Sequence, residues 1–289
     1  MSVIQVGLTD TTRSIDRGLL QSAAAAINIQ VMRDLPQFWN IQATVRYLPD
    51  PKAIPVGIWP VFLKSKLPPD EGGVHLDRKN QPYALVAATK ASSEWTIDAS
   101  HEILEMLVDP SGNRLQTSRA IKIAGDGVED AAGEFEYVVE VCDPCEADQY
   151  AYSIQGITVS DFITPHFYDP VATDGTRYSF GGNIKRPREL LPGGYISFAN
   201  PQANELEQIL FLGPKPELRD LGPATGPSLR MFIDSKTYAL AQRHRKPNKA
   251  LAKHAARHRE IIASAALARG KAYAASATSR PIPHVRVRA

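Results

Sequence analysis

Apolar and polar positions in the first hundred residues predict a strand, a long helix, three further strands and a second helix. Ser2 to Leu8 reads as a short strand, and the Ala-rich stretch from about Arg17 to Leu35 reads as a helix closed by Pro36. Ala43 to Leu48 alternates in strand fashion, Gly57 to Leu63 gives a second strand, and Pro82 to Ala88 a third. Between the last two, Pro68-Pro69-Asp70-Glu71-Gly72-Gly73 predicts an exposed loop. The second helix runs from about Ser93 to Val108 and ends at Asp109-Pro110, because proline cannot continue a helix and disfavours it one residue earlier. Thr96, Asp98 and Ser100 are candidates to cap its start.

That second helix carries the chemistry. At 100° per residue, Ile97, Leu104 and Val108 share one side, and His101 and Glu105 project about 40–80° from Ile97, so both point inward. A buried carboxylate beside an imidazole costs several kcal/mol unless compensated, and a divalent cation is the compensation that also uses an i, i+4 pair. Glu102 points elsewhere and is free to hold a water. A third ligand has to come from another element. Asp109 lies about 12 Å along the helix from His101, so Glu140 and Asp143, in a polar turn after Tyr137-Val138-Val139, are the better candidates. His75 and His166 are further imidazole candidates, although histidines near loops more often sit on the surface or make hydrogen bonds. The mixed His/Glu/Asp set suits zinc, manganese or calcium. The plain alternative is a surface helix with Glu102, Glu105 and Asp109 solvated and His101 hydrogen-bonded.

The order of elements and the segment Ser100-His101-Glu102-Ile103-Leu104-Glu105-Met106-Leu107-Val108-Asp109-Pro110 resemble the zincin metallopeptidases. With Glu140-Val141-Cys142-Asp143-Pro144 and Val159-Ser160-Asp161-Phe162-Ile163-Thr164-Pro165, the chain looks closer to a group of bacterial and phage proteins with a zincin-like pattern. The resemblance spans roughly Val74 to Phe198 and departs from the common His-Glu-x-x-His at Glu105, which stands where the second histidine would be. It implies an α+β, zincin-like domain in which a mixed sheet packs on a long N-terminal helix and an active-site helix, with a C-terminal extension.

The corresponding expectation for function is a metal-dependent peptidase using zinc or another divalent cation, with Glu102 as general base for amide hydrolysis. Tyr83, Ala84 and Leu85 would lie on an edge strand to which a peptide substrate adds in extended form, and Tyr150 and Tyr152 are candidate oxyanion donors. The competing expectation is a zincin-fold structural or interaction protein, virion-associated if phage-encoded, that performs no turnover.

Charge adds a second theme. The net +2 of the 289 residues conceals 12 basic residues against one acidic residue, Glu260, from Arg243 onward, so that this tail carries +11 and the remainder −9. Arg243, Arg245, Lys246, Lys249, Lys253, Arg257 and Arg259 are candidate contacts for nucleic acid or an acidic protein surface. Ala250 to Ala268 should be at least partly helical, and Ala274 onward disordered or extended. The expected organisation is a zincin-like domain over 1–200, an extension over 201–242 and the basic tail over 243–289. Cys142 and Cys145 cannot build a disulfide framework and read as reduced thiols, with redox chemistry as the lesser alternative. The longest apolar run in the first third, Ala23 to Ile27, is far short of the roughly 20 residues that span a bilayer, and no signal-peptide pattern opens the chain. A cytoplasmic protein, or a virion protein if phage-encoded, is therefore expected.

Overall fold

The computed structural model describes residues 3–67, 72–90, 93–201, 203, 205–226, 228–244 and 248–278. The fold is α+β with two five-stranded sheets. The first contains β1 (Ile4–Asp10), β2 (Ala43–Tyr47), β3 (Ile58–Lys64), β4 (Gly73–Asp77) and β5 (Pro82–Ala87) in the order β2-β1-β3-β5-β4. All pairings are parallel except β4 with β5, which is antiparallel.

Helix α1 (Arg17–Ile29) starts at Asp16, whose carboxylate accepts the Leu19 N–H at 2.9 Å, and it buries Leu20, Ala23, Ala24, Ala26 and Ile27. Its continuation is not α-helical to Leu35 as the pattern predicts. A wider π turn occupies Gln30–Asp34 and a 3₁₀ turn Leu35–Gln37. The widening coincides with the buried Gln30, whose amide donates to the Ser160 carbonyl at 2.9 Å and the Tyr152 hydroxyl at 3.0 Å.

Helix α2 (Trp95–Val108) packs beside β4 and β5, and every one of its residues is buried. Thr96, Asp98 and Ser100 do not occupy its N-cap, which is Glu94. Thr96 and Ser100 instead tie the helix to the chain that follows: Thr96 donates to the Thr158 carbonyl at 2.8 Å, and Ser100 accepts the Ser160 N–H at 2.7 Å.

The second sheet is antiparallel, in the order β12-β11-β10-β7-β6, and holds β6 (Leu115–Ala124), β7 (Gly127–Val138), β10 (Tyr195–Asn200), β11 (Glu205–Leu210) and β12 (Glu217–Gly222). A small hairpin, β8 (Tyr152–Ile154) with β9 (Ile157–Val159), lies between β7 and β10 in sequence. One apolar core runs from Val6, Ile27 and Val61 through Ile103 and Leu107 to Phe162, Phe198 and Ile209, so the two sheets share it.

The described residues of 201–242 take regular secondary structure within this frame. They supply β11, β12 and most of α3 (Leu229–His244), whose Ile233 joins Val138, Leu206 and Leu221 in a small separate apolar cluster. Helix α4 (Lys249–Thr278) follows, so the basic segment is helical beyond Ala274, where an extended arm is expected. Its first turns seat on the β8–β9 hairpin: Ala255 is buried, and Arg259 donates to the Gly156 carbonyl. No helix among the described residues is long and apolar enough to cross a membrane.

Candidate metal centre

Helix α2 presents His101, Glu102 and Glu105 to one buried space, and the turn after β7 brings Glu140 and Asp143 to it. His101 Nε2 lies 3.2 Å from Glu105 Oε2 and 3.3 Å from Asp143 Oδ1. Tetrahedral coordination at 2.0–2.2 Å separates neighbouring ligand atoms by about 3.3–3.6 Å, so each of these two pairs is spaced to share an ion. Glu105 is held by its other oxygen, which accepts the Cys142 N–H at 3.1 Å. Three overlapping donor groups meet metal-site distances: His101 with Glu105 and Cys142, His75 with Glu102 and Glu105, and Glu105 with Glu140 and Asp143. The buried clusters of His, Glu, Asp and Cys are therefore able to hold a metal ion.

Glu102 points to the same space rather than away from it. Neither of its oxygens has a hydrogen-bond partner among the described residues, and Oε2 lies 3.5 Å from His75 Nδ1. His75 is a strand residue on β4, not a loop residue, because the antiparallel register with β5 sets it opposite Ala84. Its Nε2 lies 3.2 Å from the Asp109 carbonyl, which fixes the ring between the strand and the end of α2. Gly73 leaves the room that Glu102 fills: a Cβ there would come within 2.6 Å of Glu102 Cγ and 2.8 Å of Oε1. Gly194 does the same for the acidic turn, since a Cβ would meet the Asp143 carbonyl oxygen at 2.5 Å.

The pattern of residues gives no warning of Arg230. This arginine, 1% exposed near the start of α3, reaches into the carboxylates. Its Nη1 donates to Glu105 Oε2 at 2.5 Å and to Glu140 Oε2, its Nε donates to Asp234 at 2.8 Å, and Nη2 lies 3.8 Å from Glu102 Oε2. Asp234 is a fifth buried carboxylate of the cluster, and Tyr195 brings a buried hydroxyl with no hydrogen-bond partner among the described residues to a cavity of about 10 Å³ beside Glu140 and Asp143. That cavity is near the smallest that admits one water. A single arginine among the apolar residues of Leu229-Arg230-Met231-Phe232-Ile233 is the feature of the sequence that could have drawn attention to this position.

The electrostatics follow from burial and crowding. Burial alone would depress the His101 imidazole, but the close approach of Glu105 and Asp143 lifts it well above the ordinary histidine value. Burial would raise Glu105, yet Arg230 and His101 hold it well below the usual carboxylate range. Burial raises Glu140, and the neighbouring Glu105 and Asp143 charges add to that against the pull of Arg230. Burial and the Glu105 charge push Asp143 up to about 7, and burial lifts Asp234 despite Arg230.

Other expected residues lie elsewhere. Tyr83, Ala84 and Leu85 are not on an edge strand: β5 is hydrogen-bonded on both sides, to β3 and to β4, and β4 ends the sheet. Alternation along a strand does not reveal its neighbours, and here the antiparallel β4 takes the outer position. His166 is exposed and paired with Asp169 at 2.8 Å. The Tyr152 hydroxyl is engaged by Asp34 and Gln30, which removes it from any oxyanion role. Cys142 and Cys145 are free, buried thiols, and burial raises both well above the ordinary cysteine value, contrary to what a redox pair needs.

Among the basic candidates, Lys249, Lys253 and Arg257 are exposed, whereas Arg259 is half-buried and anchors α4. Arg243 falls on α3, and Arg245 and Lys246 lie outside the described residues. No protein-family profile, curated protein or solved structure matches the chain.

Proposed function

We propose that the chain is a metal-dependent peptidase of zincin type. His101, Glu105 and Asp143 are the cation ligands, with Glu140 alongside and Glu102 as general base. The observation that carries this reading is His101 Nε2 standing 3.2 Å from Glu105 Oε2 and 3.3 Å from Asp143 Oδ1, beside a buried Glu102 carboxylate whose oxygens have no hydrogen bond among the described residues. An ion held there would be zinc or manganese by its donor set, and when bound it would supply Lewis acidity toward a peptide carbonyl and a water. Glu102 then takes the proton of the attacking water and returns it to the leaving amine. Tyr195, rather than Tyr152, supplies a hydroxyl to the developing oxyanion. The peptide adds to the edge of β4 in extended form, next to Gly73 and hence next to Glu102.

The test combines elemental analysis of the untagged protein with hydrolysis of a mixed peptide library, with and without chelator. Glu102→Gln should retain the ion and lose hydrolysis by about 10²–10⁴-fold, the usual contribution of a positioned base. Equal background rates for wild type, chelated wild type and the variant would remove the enzyme reading.

One observation favours the second reading, a non-catalytic scaffold. Arg230 gives the cluster a cation of its own, and exposed Lys249, Lys253 and Arg257, one helical turn apart on α4, form a stripe suited to a polyanion such as nucleic acid.

A further inference from the structure

We infer that Arg230 is an internal plug: its guanidinium occupies the cation position of the proposed metal centre and must withdraw with the first turn of α3 before a divalent ion engages Glu105. The inference rests on the metal-centre reading above and adds its regulation.

The geometry sets two cations in competition for one atom. Glu105 Oε2 is the oxygen that faces His101 Nε2 at 3.2 Å, and the same oxygen accepts Arg230 Nη1 at 2.5 Å. An ion about 2.1 Å from that oxygen would stand at most about 4.6 Å from Nη1, where a divalent and a monovalent cation repel in a site closed to water. Glu140, a neighbouring donor to the same space, is also bonded to Nη1.

The plug is built to hold and to release. It is held where the start of α3 docks on the turn after α2. Arg230 N–H donates to the Gly112 carbonyl at 2.9 Å, Ser228 Oγ donates to it at 3.0 Å, and Asn113 Oδ1 accepts the Leu229 N–H at 2.9 Å. Gly112 has φ +64°, and a Cβ there would lie 2.6 Å from Arg230 Cβ, so the turn is shaped for this approach. Asp234, one turn along α3, grips Nε at 2.8 Å and would travel with the arginine. Release is local because Ile233 of α3 sits in the small cluster with Val138, Leu206 and Leu221, apart from the main core. An element held by a satellite cluster opens without unfolding the domain.

The test uses the full chain, stripped with chelator and titrated with Zn²⁺ and with Mn²⁺. Arg230→Gln should bind tighter than wild type by at least about tenfold. The Asn113→Ala/Ser228→Ala variant, which loosens the docking and leaves the cluster intact, should tighten binding by a smaller factor. In wild type, added ion should speed amide hydrogen exchange across 229–237. If Arg230→Gln does not fold, the docking variant and the exchange measurement decide. Equal or weaker binding by the variants with unchanged exchange would overturn the plug and leave the metal centre standing. No binding by any form would overturn both.

Discussion

Gly73→Ala isolates how the sheet edge positions Glu102. The added methyl would sit 2.6 Å from Glu102 Cγ and 2.8 Å from Oε1, well inside contact distance, and Gly73 has no positive φ that would confound the substitution. Glu102 is fully buried between β4 and α2, so it has little room to retreat. Overpacking of this kind costs about 1–3 kcal/mol. In a body of this size each kcal/mol corresponds to about 2–4 °C, so Tm should fall by roughly 2–12 °C. Urea unfolding measures the loss as a lower midpoint at unchanged slope. The same substitution in a Glu102→Ala background should be nearly neutral, or stabilising by about 0.4–1 kcal/mol, because the clash is gone while the unfolded chain has lost freedom. The coupling between the two sites is therefore expected at about 1–3 kcal/mol. Metal affinity should be unchanged and hydrolysis reduced, since His101, Glu105 and Asp143 are not touched. An equal cost of Gly73→Ala in both backgrounds would refute the steric cradle and, with it, the account of how the base is placed.

Two more outcomes follow from the charges. In chelated protein, Asp143 keeps its proton in the folded state up to about pH 7, whereas the unfolded chain releases it near pH 4. Between those values the folded state binds more protons, so stability should fall as pH rises through the window, by no more than about 1.4 kcal/mol per pH unit. Thermal melts of Asp143→Asn should show a shallower slope there; an unchanged slope would assign the titration elsewhere. For α4, binding of wild type to a DNA duplex should weaken steeply with salt. The Lys249→Glu/Lys253→Glu/Arg257→Glu variant should lose about 2.7 from the slope of log K against log salt if each residue meets one phosphate, and equal slopes would remove the stripe from the interface.

Much of the centre was legible because it is local. His101 and Glu105 fall one turn apart on α2, and their spacing against Ile97, Leu104 and Val108 places both inward, whereas the same stripe turns Glu102 away because it does not show that every side of this helix is buried. Asp143 was legible for a different reason, as an acidic turn directly after an apolar strand. His75 was obscured by its surroundings: β4 is five residues long and follows a Pro- and Gly-rich stretch, so strand alternation had little length in which to register. Arg230 was beyond reach of periodicity altogether. It lies 125 residues from Glu105, and the strands that carry α3 back to the site, β11 and β12, pair by registers that sequence spacing does not encode. Strand order failed for the same reason, because β4 and not β5 takes the edge.

The balance of charge in the cluster bears on what it is for. Glu102, Glu105, Glu140, Asp143 and Asp234 surround one guanidinium, and all are buried. An arrangement that served stability alone would match carboxylates to cations, because an unmatched buried charge costs several kcal/mol. Here burial and crowding push the other way: His101 is driven toward its charged form, and Glu140, Asp143 and Asp234 toward their neutral forms. Protons on His101, Glu140 and Asp143 would sit on donor atoms that a divalent ion needs, so ion uptake would be coupled to proton release. If that exchange occurs, calorimetric titrations in buffers of different ionisation enthalpy should detect protons leaving as the ion enters. A surplus of buried acidic groups, some driven toward their neutral forms and Glu105 kept ionised beside one arginine, is the arrangement expected of a site that exchanges cations rather than one that merely cements the fold.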